Sequence, residues 1–269
     1  MEFPDYKFVS SSTKKDEQIA KFVHHSEVLT YIKSYAEFFG VNKHVKLKSK
    51  VASVEYTREK TWLLEIENTR TKSKQSKEFD KLIVANGHYS KPSYGIGEEL
   101  LNNFSGKLLH SHHYRSDKCL LDLQNVTVVG LGPSGIDIAV ELYNAGKNVS
   151  CLVRKSGGSW KYEKLPFNVV EGIQSIHGNI IKTSDGTEIQ CDALMLATGY
   201  DYDFKFLQRI DGLDLNYSEQ YVRNLWQHCL PINSEFFDKL AFLAVPSKIV
   251  PFPIMDSFQN MYEFFVNVC

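Results

Sequence analysis

The stretch NVTVVGLGPSGIDIAVEL, residues 125–142, decides the fold. A short apolar run from Val126 to Val129 stops at Gly130, and a helical pattern follows Gly135 and runs to about Gly146. Gly130, Gly132 and Gly135 carry the spacing G-x-G-x-x-G. That spacing alone is a weak signal. Its setting strengthens it, because an apolar strand precedes the turn, a helix follows, and a second strand (Val149 to Val153) returns about 20 residues later. The first two glycines let the backbone turn tightly and approach a phosphate, and the third lets helix and strand pack closely. The helix N-terminus then presents free N–H groups and partial positive charge to a pyrophosphate.

The end of the returning strand selects the dinucleotide. An Asp or Glu there accepts a hydrogen bond from a ribose 2′-OH, as NAD and FAD require. This chain reads CLVRKSGGSW over residues 151–160, with Arg154 and Lys155 at that point. A guanidinium matches a 2′-phosphate, so the turn is expected to bind NADP(H).

The chain has 269 residues, 43% of them hydrophobic and 23% charged, with a formal net charge of −1. These values are ordinary for a globular protein and give no footprint for nucleic acid. No apolar run approaches the roughly 18 residues of a membrane span, and the N-terminus does not read as a signal peptide. The five cysteines are scattered without a C-x-x-C pair, which suits a reduced setting. A cytoplasmic location is expected, with association to the endoplasmic reticulum left open, and a homo-oligomer is allowed.

Upstream of the glycine turn, FVHHSEVLTYIKSYAEFFG (residues 22–40) is helical in pattern. Val28, Leu29, Ile32, Tyr35, Ala36 and Phe39 fall on one face, Ser26 is the expected N-cap and Gly40 the residue past the C-cap. Residues 44–56 alternate as a strand, 61–67 form a second, 70–77 read as a solvated hairpin tip, and 79–85 form a buried strand ending at Asn86-Gly87. Downstream, residues 173–189 form a small meander turning at Asp185-Gly186, and 193–197 form a strand ending in Thr198-Gly199-Tyr200.

Several stretches together resemble one family, the flavin-containing monooxygenases. FSGKLLHSHHY fits that family's fingerprint F-x-G-x-x-x-H-x-x-x-(Y/F) through Phe104, Gly106, His110 and Tyr114. Tyr114 stands where the related Baeyer–Villiger monooxygenases have Trp. VVGLGPSGIDIA matches the family's NADPH turn, and LMLATGY its linking strand. FPDYKF, the helix at 22–40, VANGHYSKP and AVPSKIVPFP also look like family segments, so ordered matches span nearly the whole chain. VPSKIVPFP looks closer in detail to insect-type members than to vertebrate ones.

The resemblance implies an α/β fold with two Rossmann-like dinucleotide-binding domains. Residues 121–200 would form the NADP-binding domain, and 1–120 with 201–269 a discontinuous FAD domain. It also implies an FAD- and NADPH-dependent enzyme that uses O2 to oxygenate soft nitrogen or sulfur centres of small molecules. Gly130, Gly132, Ser134, Gly135 and Asp137 would lie along the NADP turn, and Arg154 would hold the 2′-phosphate. The family's first glycine turn, for FAD, has no counterpart before Gly130. The chain is therefore expected to be truncated at its N-terminus and at its C-terminus, lacking the first βαβ unit of the FAD domain. Val51 and Asn86 are the FAD contacts still expected, and binding of FAD is expected to be weak or absent. Asp256 and Gln259 are candidates for a displaced flavin contact after PFP. No catalytic residue is assigned. The alternative is a truncated, catalytically inactive fragment or isoform that at most binds NADP(H) or a partner chain.

Other chemistries fit less well. His110, His112, His113 and Asp117 lack a distant partner set for a metal. Tyr-x-x-x-Lys pairs occur at Tyr56/Lys60, Tyr114/Lys118 and Tyr143/Lys147, none of them where a short-chain dehydrogenase needs one.

Overall fold

The computed structural model describes residues 2, 3, 5–8, 23–153, 165–215 and 222–243. The chain divides into two compact units, one of Met1–Gly87 with Phe204–Cys269 and one of His88–Asp203.

The first unit opens with α1 (His25–Phe38). Its N-cap is His24, whose Nδ1 accepts from the Ser26 N–H, so Ser26 sits inside the first turn rather than capping it. Gly40 closes the helix in the left-handed conformation (φ 65°), donating its N–H to the Glu37 carbonyl, as its sequence position predicts. The buried face is not the one the periodicity selects. Tyr31 is the one buried residue of α1, while Leu29, Ile32 and Phe39 are exposed. The reason is local. Phe3, Tyr6 and Phe8 lie on the Tyr31 side, where Tyr31 Oη accepts from the Phe3 N–H at 2.7 Å and donates to the Tyr6 carbonyl at 2.6 Å. Phe3, Tyr6 and Phe8 pack their rings against Tyr31.

A meander follows: β1 (Ser49–Tyr56), β2 (Trp62–Asn68) and β3 (Lys74–Phe79), antiparallel in that order. β1 starts later than the alternation from residue 44 suggests, because residues 41–44 form a 3-10 turn and Lys48 adopts φ 58°. β3 takes in much of the expected hairpin tip. Trp62 is fully buried, packs at a tilt against Tyr56 and Phe236, and donates its indole N–H to the Lys239 carbonyl at 2.8 Å. β4 (Leu82–Val84) ends the first pass through this unit.

The second unit begins with β5 (Lys91–Pro92), α2 (Glu98–Asn102) and β6 (Lys107–His110). Next come β7 (Asn125–Val129), α3 (Pro133–Asn144) and β8 (Asn148–Val153), the unit foreseen from the glycine turn. β9 (Asn168–Glu171) precedes the small meander of β10 (Ile173–His177), β11 (Ile180–Thr183) and β12 (Glu188–Gln190). β13 (Ala193–Leu196) and β14 (Tyr200–Asp201) close it. Five strands form one parallel sheet in the order β6-β13-β7-β8-β9.

Both faces of this sheet are covered, which is why β13 is buried at every residue. Ala193 and Met195 point to the side of α3, with Val126, Val128, Ala139 and Leu142. Leu194 and Leu196 point to the other side, with Ile176 and Ile181 of the meander. Asp192 fixes the start of the sheet, its Oδ2 accepting from the Asn125 N–H (2.8 Å), the Asn125 side-chain amide (2.9 Å) and the Gln124 N–H (3.3 Å).

The chain then returns to the first unit through β15 (Leu225–Trp226), β16 (Leu230–Pro231) and β17 (Leu240–Phe242). β17 pairs in parallel with β4.

Candidate nucleotide-binding site

The strand order puts the site where open α/β sheets bind ligands. From β7 the chain runs outward through β8 and β9, then crosses back to place β13 on the other side of β7. The crevice between the C-terminal ends of β7 and β13 is thus a topological switch point. Gly130 follows β7 there, and Ala197-Thr198-Gly199 follow β13.

Each glycine of the turn has its own physical reason. Gly130 sits at φ 91°, and a Cβ on it would lie 2.5 Å from the Ala197 carbonyl oxygen. Its N–H donates to the Leu152 carbonyl at 2.8 Å, tying the turn to β8. Gly135 is buried in the first turn of α3, and a Cβ there would overlap the Gly130 carbonyl. Gly132 differs. It is exposed and extended (φ −71°, ψ 179°), and nothing lies within 4 Å of where its Cβ would be. The open space above Gly132 is a cradle that a side chain would fill.

The start of α3 leaves donors for that cradle. Pro133 occupies the first helical position and has no N–H to satisfy. The N–H groups of Ser134 and Gly135 precede the first intrahelical bond, which runs from the Ile136 N–H to the Gly132 carbonyl at 3.0 Å. No capping side chain and no acidic residue of the first turn competes for them. This arrangement fits a pyrophosphate. Asp137 stands exposed one position further along the helix. Arg154 and Lys155 directly follow β8, whose C-terminal end lies on this rim, but both fall outside the described residues, as do the VPSKIVPFP segment, Asp256 and Gln259.

The fingerprint stretch reaches the same end of the sheet. His110 ends β6 and is 2% exposed. Its Nδ1 accepts from the His112 N–H at 3.0 Å, so the neutral ring carries its proton on Nε2. Burial pushes its pKa below the usual histidine value, with the carbonyls of Gly199 and Ser93 pulling the other way. The tail of β13 is held by a strap: the Thr198 hydroxyl donates to the Ser93 carbonyl, the Ser93 N–H donates to the Gly199 carbonyl at 3.0 Å, and Lys91 pairs with Asp201 at 3.3 Å. Sequence reasoning flagged Gly199 and Tyr200 through LMLATGY, yet gave no signal for Asp192 or Ser93.

The structure brings Gly130, Gly132, Ser134 and Gly135 together at the turn into α3, with Asp137 following on the helix. Val51 and Asn86 lie in the first unit on different elements: Val51 is half-buried in β1 at a register shift, and Asn86 follows β4 and is exposed. No group of three or more His, Cys, Asp or Glu is placed to hold a metal among the described residues.

The family model for flavin-binding monooxygenase-like proteins matches residues 3–170. The chain belongs to this family. It is 28% identical over 268 residues to flavin-containing monooxygenase FMO GS-OX-like 7 of Arabidopsis thaliana, covering 95% of this chain and 55% of the relative. Among solved structures, S-allyl-L-cysteine S-oxygenase from Allium sativum superposes with a TM-score of 0.77 at 28% identity, over 95% of this chain and 57% of that one. Tmm from Pelagibacter sp. also gives 0.77, at 25% identity over 89% and 53%. The family's Rossmann-type α/β fold accords with the parallel sheet. The family uses FAD and NADPH. The chain spans about half the length of the curated relatives it matches. Among the described residues no helix is long and apolar enough to cross a membrane.

Proposed function

We propose that the turn from Gly130 to Gly135 binds the pyrophosphate of NADP(H), and that the chain serves oxygenation of soft nitrogen or sulfur centres in small molecules. The observation that carries this reading is the open cradle at Gly132, facing free N–H groups at the switch point. Ser134 and Gly135 donate to the phosphates, Gly132 permits their approach, and Arg154 pairs with the 2′-phosphate. Residues 121–200 act as the NADP-binding domain, and the flanking residues 1–120 and 201–269 contribute on the flavin side, with Val51 and Asn86 as contacts. When bound, NADPH supplies a hydride and FAD, once reduced, supplies O2 chemistry. The name of one structural relative, an S-oxygenase, supports the sulfur half of the reading.

A second reading is that the chain binds NADP(H) without turnover. What favours it is that its sequence holds a single G-x-G-x-x-G turn, whereas the chemistry needs two dinucleotides. Titration with NADPH and NADH tests the shared part. Arg154→Ala is expected to weaken NADPH at least about tenfold, a change of about 1.4 kcal/mol, while leaving NADH nearly unchanged. Equal loss for both would remove the 2′-phosphate argument. NADPH oxidation with added FAD and a thioether or tertiary amine separates the readings: turnover above a heat-killed control supports the first, and NADPH binding without turnover supports the second.

A further inference from the structure

His110 ends β6, the strand beside β13, and its ring is buried. Its Nδ1 is engaged by the His112 N–H, so the proton sits on Nε2. That Nε2 meets no acceptor in hydrogen-bonding geometry among the described residues. A buried polar group in this state is rare and calls for a physical reason.

The surroundings supply one. The carbonyls of Gly199 and Ser93 are the backbone groups that act on the ring. Each already receives one donor, the Ser93 carbonyl from the Thr198 hydroxyl and the Gly199 carbonyl from the Ser93 N–H. A carbonyl has two lone pairs, so each can take a second donor, and the Nε2–H is the one at hand. The residues that follow these carbonyls grip the ring as well. Tyr200 and Tyr94 meet it edge to face, at centroid separations of 5.3 and 6.0 Å. His110 is thus set against both members of the strap that ties Ser93 to the tail of β13.

That tail is a wall of the nucleotide crevice. The Ala197 carbonyl oxygen and the Thr198 nitrogen lie 2.5 and 3.8 Å from where a Cβ on Gly130 would be. A shift of the tail therefore changes the gap opposite the glycine turn. With the 2′-phosphate assigned to the β8 side, a dinucleotide crosses the switch point toward β13, and its nicotinamide half meets this wall. We propose that His110 is a positioning residue for the nicotinamide half, its Nε2–H holding the strap and with it the β13 tail. This rests on the NADP(H) reading of the turn.

Two ligands, titrated by calorimetry, test it. NADP⁺ spans the crevice, whereas adenosine 2′,5′-bisphosphate carries phosphates for the turn and for the β8 side but no nicotinamide. His110→Leu is expected to weaken NADP⁺ about tenfold and to change the bisphosphate by less than about twofold, because only the β13 wall is misplaced. His110→Gln restores an N–H near the Nε2 position and should recover NADP⁺ binding to within about threefold of the parent. His110→Asn keeps only an acceptor for the His112 N–H and should behave as His110→Leu does. The proposal is overturned if folded His110→Leu binds NADP⁺ as the parent does, if it loses both ligands alike, or if His110→Gln recovers nothing. Should circular dichroism show His110→Leu unfolded, the other two variants decide, and equal NADP⁺ affinity in them overturns the proposal. If the parent binds neither ligand, the NADP(H) reading fails and this inference falls with it. If the parent binds both and the His110 variants are indifferent, this inference alone fails.

Discussion

Gly132 and Gly135 sit three residues apart and differ in what a methyl group would meet. At Gly135 the added carbon collides with the Gly130 carbonyl, a backbone atom that cannot rotate away. At Gly132 it enters open space with an ordinary φ of −71°. The two alanine variants should therefore separate stability from binding. Gly135→Ala is expected to cost about 1–3 kcal/mol in urea unfolding, as overpacking does, and to lose NADPH binding as the turn is forced open. Gly132→Ala should stay within about 0.5 kcal/mol of the parent, as exposed substitutions do. Its NADPH affinity should still fall about tenfold, because the methyl occupies the space assigned to a phosphate. Unchanged NADPH affinity in Gly132→Ala would show that the pyrophosphate lies elsewhere.

At the scale of elements, the parallel sheet was the most legible part and α1 the least. β7, α3, β8 and β13 were legible because strand, glycine turn and helix are encoded locally, and because sheets covered on both faces need continuous apolar strands. α3 begins at Pro133, ahead of the expected start after Gly135, since proline is well suited to a first helical position. The face of α1 is not legible because a helical stripe reports apolar spacing, while the aromatic cover from Phe3, Tyr6 and Phe8 comes from a distant segment without periodicity. β1 began late for a related reason: alternation from residue 44 describes side chains, and a strand also needs a partner for its backbone. The clamp at Asp192 left no trace in the sequence, since one aspartate before an apolar strand is common. Its carboxylate is held below the usual value chiefly by the Asn125 N–H. A lowered folded-state pKa stabilises above the unfolded value of about 3.9, and the contribution is lost as pH falls through the folded pKa. Asp192→Asn is therefore expected to cost on the order of 1 kcal/mol at pH 7, the scale of hydrogen bonds to a partly exposed charge. The gap between variant and parent should shrink below about pH 4. Urea unfolding across that range checks it, and a gap independent of pH would mean the charge of Asp192 does not act through these bonds.

At the scale of the whole molecule, the family's two dinucleotides and the one glycine turn of this sequence set a test of their own. A pyrophosphate needs an anion cradle, and the sequence spells one G-x-G-x-x-G, assigned here to NADP(H). In the first unit, β4 and β17 make a two-stranded parallel pair among the described residues, and Asn86 follows β4 without a glycine turn into a helix. Arginine and lysine on this surface can attract phosphate, but scattered side chains lack the converging backbone donors found at the start of α3. The purified chain is accordingly expected to carry well under one FAD per protein, to lose it on desalting, and still to bind NADPH. Flavin absorbance against protein concentration, before and after desalting, reads this directly. Retention of FAD at one per chain would overturn the expectation and would require the flavin to be held by contacts of another kind. Val51→Asp and Asn86→Ala would then be the first variants to examine, since loss of flavin in either would locate those contacts in the first unit.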